Sequence, residues 1–203
     1  MTKAIEKFID AVRKECKENN IKFIMADKEF LKIHGGACSG YFQESEDKTN
    51  AILAVATKKP RSQWLGVLVH ESCHMDQFLE GKTIWEEADE ALEDFEEWVA
   101  YEKELTQKQI DNMIRTIQEL ELDCELRTVR KIKQYGLPIN LKTYAKSVNI
   151  YLYSYEFMRR HRGWHYFSSR SSSLFPLVKD KIQKSHRRLP KPLYEKFRQL
   201  ANV

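Results

Sequence analysis

Glycine and proline are scarce in this chain, at seven and five residues among 203. That excludes a collagen-like, low-complexity or loop-dominated architecture. Glu, Lys, Leu and Ala abound instead, which favours helix. Long apolar runs are missing too: the longest, AILAVA and WLGVLV, are six residues each, against the roughly 20 that cross a bilayer as a helix. The four cysteines, at 16, 38, 73 and 124, form no CxxC pair. This argues against a disulfide framework and a cysteine-rich zinc knuckle, and suits a reducing compartment. The N-terminal MTKAIEKFIDAVRKECK lacks the continuous apolar core of a signal peptide. Its Ile5, Phe8, Ile9 and Val12 recur at helical spacing instead, as on an amphipathic surface helix. The expectation is a soluble, cytoplasmic protein with one domain over 1–203.

The formal net charge of +4 conceals a strong polarity. Residues 80–104 hold eleven acids against two lysines, whereas 156–203 hold twelve Lys/Arg against three acids. Two solvated faces that attract one another within the fold account for this pattern. A basic tail for nucleic acid or an acidic partner is the alternative, and the tail is not strongly enriched in stacking motifs.

The periodicity predicts an α+β chain, mostly α. A helix covers about Lys3–Asn19 and a strand follows in IKFIM. Short strands around Ser39–Phe42 and Ala51–Ala56 form a hairpin across the polar ESEDKTN. Residues 64–80, WLGVLVHESCHMDQFLE, then read as a helix apolar around most of its circumference, hence buried, with Gly81 placed to cap it. Further helices are predicted over 86–104, Gln107–Tyr135 (stopped by Gly136 and Pro138) and Leu141–Arg160, before a basic helical tail from about 174. The segment 168–173 is the plausible linker, and 30 residues beyond it are too few for a second domain.

The centre of the buried helix reads His70-Glu71-Ser72-Cys73-His74. Two histidines four apart share a helix face, so both imidazoles can hold one ion. Neutral imidazole suits zinc, and Glu71 is placed to lean over the site as a general base. Burying two histidines and a glutamate in an apolar helix is costly without partners, and one zinc ion per chain removes that cost. A third ligand is expected from ELELDCELRT at 119–128. With Met113, Ile117, Leu120 and Cys124 as the buried stripe, Glu121 falls within about 40° of Ile117 and Glu125 within about 80°. Glu119 and Asp123 project to the far side. A glutamate inside an apolar stripe needs a reason, and Glu121 as metal ligand supplies one.

With HExxH on one helix and Glu121-Leu-Asp-Cys124-Glu125 on another, residues of about 50–130 resemble the gluzincin-like zincin metallopeptidases. In that pattern a small residue, here Cys124, stands where the helices touch. The competing frame, Glu119-Leu-Glu-Leu-Asp123, matches the acid spacing but places bulky Leu122 at that contact. The resemblance implies a zincin-like fold, with a small sheet packed on the HExxH helix and a helical C-terminal half. It also implies zinc-dependent hydrolysis of peptide bonds, with His70, His74 and Glu121 as ligands and Glu71 as base. Glu125 would accept the second ring hydrogen of a histidine ligand. In general character the chain also resembles small single-domain metallopeptidases of phages. The metzincin extension is absent. Peptide deformylases share HExxH with an upstream cysteine ligand, for which Cys38 is available, but their GxGxAA signature is missing.

A peptide or protein substrate is then expected to pair with the AILAVA strand as an edge. An oxyanion donor is expected from the C-terminal half, which offers Tyr151, Tyr153, Tyr155, His161, His165 and Tyr166. Tyrosines so spaced more often serve packing. Cys73 reads as a small buried thiol, and His34 and His186 as solvated. The rival function is a non-catalytic, metal-stabilised binding protein acting through its basic C-terminal region.

Overall fold

The computed structural model describes residues 1–33, 36–44, 50–81, 83–165, 167 and 173–203. In chain order the elements are α1 (Lys3–Glu18), β1 (Ile21–Ala26), β2 (Leu31–Ile33), β3 (Gly36–Cys38), β4 (Gly40–Glu44) and β5 (Ala51–Ala56). The helices α2 (Arg61–Leu79), α3 (Thr83–Val99), α4 (Gln107–Tyr135), α5 (Leu141–His161) and α6 (Lys191–Ala201) follow, with a 3-10 turn at Phe175–Leu177. The class is α+β and mostly helical, with its strands near the N-terminus. No helix among the described residues is long and apolar enough to cross a membrane. His34, Tyr166, most of the 44–50 loop and all but Ser173 of the 168–173 segment lie outside the described residues.

The chain gathers into two compact units. The first comprises Met1–Gly81 and Cys124–Ile139, the second Lys82–Asp123 and Asn140–Val203. In the first, α1 buries Ile5, Phe8, Ile9, Val12 and Cys16 along one stripe, and Thr2 caps its start by accepting from the Ile5 amide. Its sheet has the order β1-β5-β4, with β1 parallel and β4 antiparallel to β5. β2 and β3 pair antiparallel in a two-stranded sheet of their own. AILAVA was expected to serve as the edge, but β5 is the central strand, and its backbone is committed to neighbours on both sides. That position explains its near-continuous apolar run, since a central strand is covered on both faces. The edge strand beside the helix is β4, and α2 packs on both β4 and β5. Gly81, with φ of 59°, closes α2 in the left-handed conformation that a Cβ disfavours.

In the second unit, Phe95, Trp98, Ile114, Ile117, Tyr155 and Met158 join α3, α4 and α5 in one apolar cluster. Phe157, Phe167, Leu193 and Phe197 build a second cluster under α6. The α3 helix stops at Val99, about five residues earlier than its pattern suggested. Tyr101 turns to a φ of 62°, and the amides of Glu102 and Lys103 fold back onto the Glu97 carbonyl. The Lys103 ammonium then bridges Asp94 and Glu97 at 2.6 and 3.1 Å. Basic and acidic segments do meet here: Arg162 donates to Glu104 at 2.8 Å and to the Trp98 carbonyl at 2.7 Å.

Candidate metal centre

The buried face of α2 carries Leu65, Leu68, Val69, Cys73, His74 and Met75, so the histidine pair enters an apolar environment. His74 is buried and His70 half-buried. Their Nε2 atoms face each other at 3.1 Å, with the rings nearly perpendicular at 87°. Each opposite ring nitrogen has its own partner. His74 Nδ1 meets Gln77 Oε1 at 2.9 Å, and His70 Nδ1 meets Glu125 Oε1 at 3.3 Å. An amide oxygen and a carboxylate both accept, so each Nδ1 carries the hydrogen and each Nε2 presents a lone pair. Two lone pairs this close repel unless a cation lies between them. Zinc–nitrogen bonds of about 2.0–2.1 Å in tetrahedral geometry place two such nitrogens about 3.3 Å apart. The donor set therefore fits a divalent ion held by His70 and His74.

The helix α4 supplies the groups behind His70. Glu125 is 5% exposed, and a buried carboxylate needs a donor. The His70 ring provides one. Cys124, also buried, sits 3.3 Å from the His70 carbonyl and 3.5 Å from its Nδ1. The donor atoms of His70, His74 and Cys124 all lie within 4.8 Å of one another, so these three form a group that could hold a metal ion. Cys73, the next residue along α2 from Ser72, is hydrogen-bonded to Cys124. That bond, against the opposing effect of burial and with help from Lys131, pulls the Cys73 thiol down to about 7. The Lys131 ammonium is anchored by the Ser72 carbonyl at 3.0 Å and Asp76 at 2.8 Å.

Glu71 leaves α2 toward the sheet. A Cβ built on Gly40, the first residue of β4, would lie 3.3 Å from Glu71 Cγ, 2.5 Å from Val67 Cγ1 and 2.9 Å from the Ala54 carbonyl. Only glycine lets the edge strand run this close to the helix at the glutamate. Cys38 stands just upstream, where burial first and the Glu71 charge second raise its thiol above the ordinary range. Among the described residues the metal-competent group contains Cys124 and not Cys38. A cavity of about 300 Å³ elsewhere in the first unit, lined in part by Glu15, Asp76, Lys131 and Tyr135, includes none of these donors.

The remaining expected residues fall in the second unit. Glu121, on α4 one turn before Glu125, lines a cavity of about 230 Å³ with Ile117, Leu120, Tyr151, Tyr155 and Trp164, and its Oε2 is buried. Glu119 is exposed and paired with Arg187 at 3.2 Å. Tyr151 and Tyr155 share a hydroxyl–hydroxyl bond of 2.8 Å, and Tyr153 accepts from Gln183 at 2.9 Å. His161 stacks on Phe157 and Tyr194, and His165 on Phe167.

His186 corrects the expectation of a solvated ring. It is 3% exposed and its Nε2 donates to Asn149 Oδ1 at 2.8 Å, while burial depresses its pKa to about 4. Asn149 is the hub of that region. It also donates to the carbonyls of Lys179 and Lys181 and accepts from the Gln183 amide. Sequence reading also missed Gln77, although a fully buried glutamine three residues after a buried histidine, in an apolar helix, is itself a signal. No family model matches the chain, and no curated protein or solved structure matches it significantly.

Proposed function

We propose that the protein is a zinc-dependent hydrolase of peptide bonds. The observation that carries this reading is the facing pair of Nε2 atoms on His70 and His74, each ring locked from behind through Nδ1. When bound, a divalent ion of this kind supplies Lewis acidity, polarising a carbonyl and bringing a water's pKa toward about 7. The chain's own residues do the rest. Glu71 takes a proton from the attacking water and returns it to the departing amine, the two transfers that amide cleavage requires. Glu125 and Gln77 hold the imidazoles in the tautomer that presents Nε2. The edge strand β4, which approaches Glu71 at Gly40, offers a rail along which an extended peptide can lie beside α2.

Two residues compete for the third ligand position. The zincin-like pattern nominates Glu121, and the clustering of donor atoms nominates Cys124. Metal analysis of His70→Ala, Glu121→Gln and Cys124→Ser proteins decides between them. About one equivalent is expected in the wild type and little in His70→Ala, with loss in whichever of the other two carries the true ligand.

The buried Cys124 thiol also favours a second reading, a structural metal site in a binding protein, because sulfur donors close such sites against solvent. A peptide-library digest comparing wild type with Glu71→Gln separates the two. Under the hydrolase reading the Gln variant keeps its metal and cleaves nothing. Under the binding reading neither protein cleaves.

A further inference from the structure

We propose that the cavity within the second unit binds a small primary alkylammonium ion, with the Glu121 carboxylate as its counter-charge and the rings of Tyr151, Tyr155 and Trp164 as its walls. The inference goes beyond the hydrolase reading and does not rest on it. It does take Glu121 out of the contest for the metal.

Every residue lining this cavity belongs to the second unit. Its volume of about 230 Å³ falls below the roughly 300–1,000 Å³ of sites for drug-sized molecules, so the guest is small. Helical spacing builds the lining. Ile117, Leu120 and Glu121 stand at i, i+3 and i+4 on α4, and Tyr151, Tyr155 and Met158 at i, i+4 and i+7 on α5, so each set shares one face. Tyr151 and Tyr155 are fixed to one another by their 2.8 Å hydroxyl bond, with the ring planes at 67°. The Trp164 indole is steadied edge-to-face against Phe95, with the ring centroids 4.8 Å apart. Trp164 is nevertheless 50% exposed, and Leu92, also on the lining, 38%. The lining thus reaches solvent at these two residues, where a solute can enter.

The chemistry of the wall selects the guest. Glu121 is its one carboxylate, with Oε2 buried, and no lysine or arginine stands among the described lining residues. A negative wall takes a positive guest. Aromatic faces carry negative charge density and attract a cation as well. The rest of the wall, Ile117, Leu120 and Met158 among it, is apolar and suits an alkyl body. A primary ammonium answers both demands, since its N–H groups donate to the carboxylate while its carbon chain leaves water. A bare metal ion does not. Hard cations take about six or more oxygens, and beside Glu121 the described wall offers the two tyrosine hydroxyls, with no histidine or cysteine for zinc.

The test is isothermal titration of the full-length protein with hexylamine hydrochloride and, separately, with 1-hexanol, in an amine-free buffer. The expected result is saturable one-to-one binding of the amine, at least about tenfold tighter than the alcohol of the same length. Glu121→Gln keeps the outline of the side chain and should lose that preference, binding both probes alike. Trp164→Ala changes a half-exposed wall residue and should weaken the amine several-fold. No saturable heat from the amine overturns the proposal. So does a wild type that binds hexanol as tightly, or an amine affinity that Glu121→Gln leaves unchanged. Zinc content measured on the same samples keeps this inference apart from the metal reading. A Glu121→Gln protein that loses its zinc returns Glu121 to the ligand set and overturns the counter-charge role. Amine binding by a protein that never held zinc supports the cavity and removes the metal reading.

Discussion

His74 Nδ1 lies 2.9 Å from Gln77 Oε1, less than one turn further along the same helix. That bond decides which nitrogen of His74 points at His70. It leaves Nε2 with a lone pair to offer an ion, on what would otherwise be a buried, tautomerically ambiguous ring. Replacing Gln77 by alanine removes the acceptor and leaves the ring free to protonate on the wrong side. Zinc affinity is expected to fall about 10- to 100-fold, as for other groups that orient a metal-binding histidine. Competition against a chromogenic chelator measures it, and an unchanged affinity would mean that the ring is oriented by something else.

Metal removal has a stability signature. An ion that binds only the folded chain contributes about 2.7 kcal/mol at a hundred times its dissociation constant. The wild-type melting temperature should therefore rise with added zinc and drop on addition of a chelator. His74→Ala should melt at one temperature in both conditions.

Gly40→Ala tests the close approach of β4 to α2. The added methyl meets Val67 Cγ1 at 2.5 Å and the Ala54 carbonyl at 2.9 Å, and the carbonyl belongs to the central strand and cannot step aside. Overpacking of this kind costs about 1–3 kcal/mol. Urea denaturation should show a lowered midpoint. Val67→Ala in the same chain should recover only part of the loss, because it relieves the side chain but not the backbone.

The buried His186 sets an acid limit on stability. Its folded pKa of about 4 lies below the ordinary histidine value of 6.5. Between those two values the unfolded chain binds the proton and the folded chain does not. Stability should therefore decline as pH falls from about 6.5 toward about 4, and level off below. His186→Gln keeps a donor for Asn149 without a titrating group. Its free energy of unfolding, measured from pH 7.5 to pH 4, should vary less with pH than that of the wild type.

Much of this organisation was legible in the residues. The helix spans followed from apolar stripes such as Ile5, Phe8, Ile9 and Val12, and α4 ends where Gly136 takes a φ of 63°. The hairpin of β4 and β5 followed from two short apolar runs around a polar loop. What escaped depends on partners distant in sequence. The parallel pairing of Ile21–Ala26 with Ala51–Ala56 joins segments 30 residues apart, and no local pattern announces it. For that reason AILAVA, taken locally, passes for an edge although it is the central strand. His186 looked solvated because its neighbours are basic and polar, whereas its partner Asn149 stands 37 residues earlier on α5. The HESCH stretch announced its histidines through residue type and spacing alone. The sulfur of Cys124 read as a spacer, since nothing in a sequence distinguishes a thiol that fills a gap from one aimed at an imidazole.

One amide therefore carries a burden normally spread over a strand. Four groups between Lys179 and His186 converge on the Asn149 side chain, two carbonyls on its nitrogen and two donors on its oxygen. Aspartate at this position would have the same outline but would turn both carbonyl contacts from attraction into repulsion. The backbone from Lys179 to Gln183 is fastened largely by the polarity of this one residue, so a substitution invisible to shape would loosen that stretch.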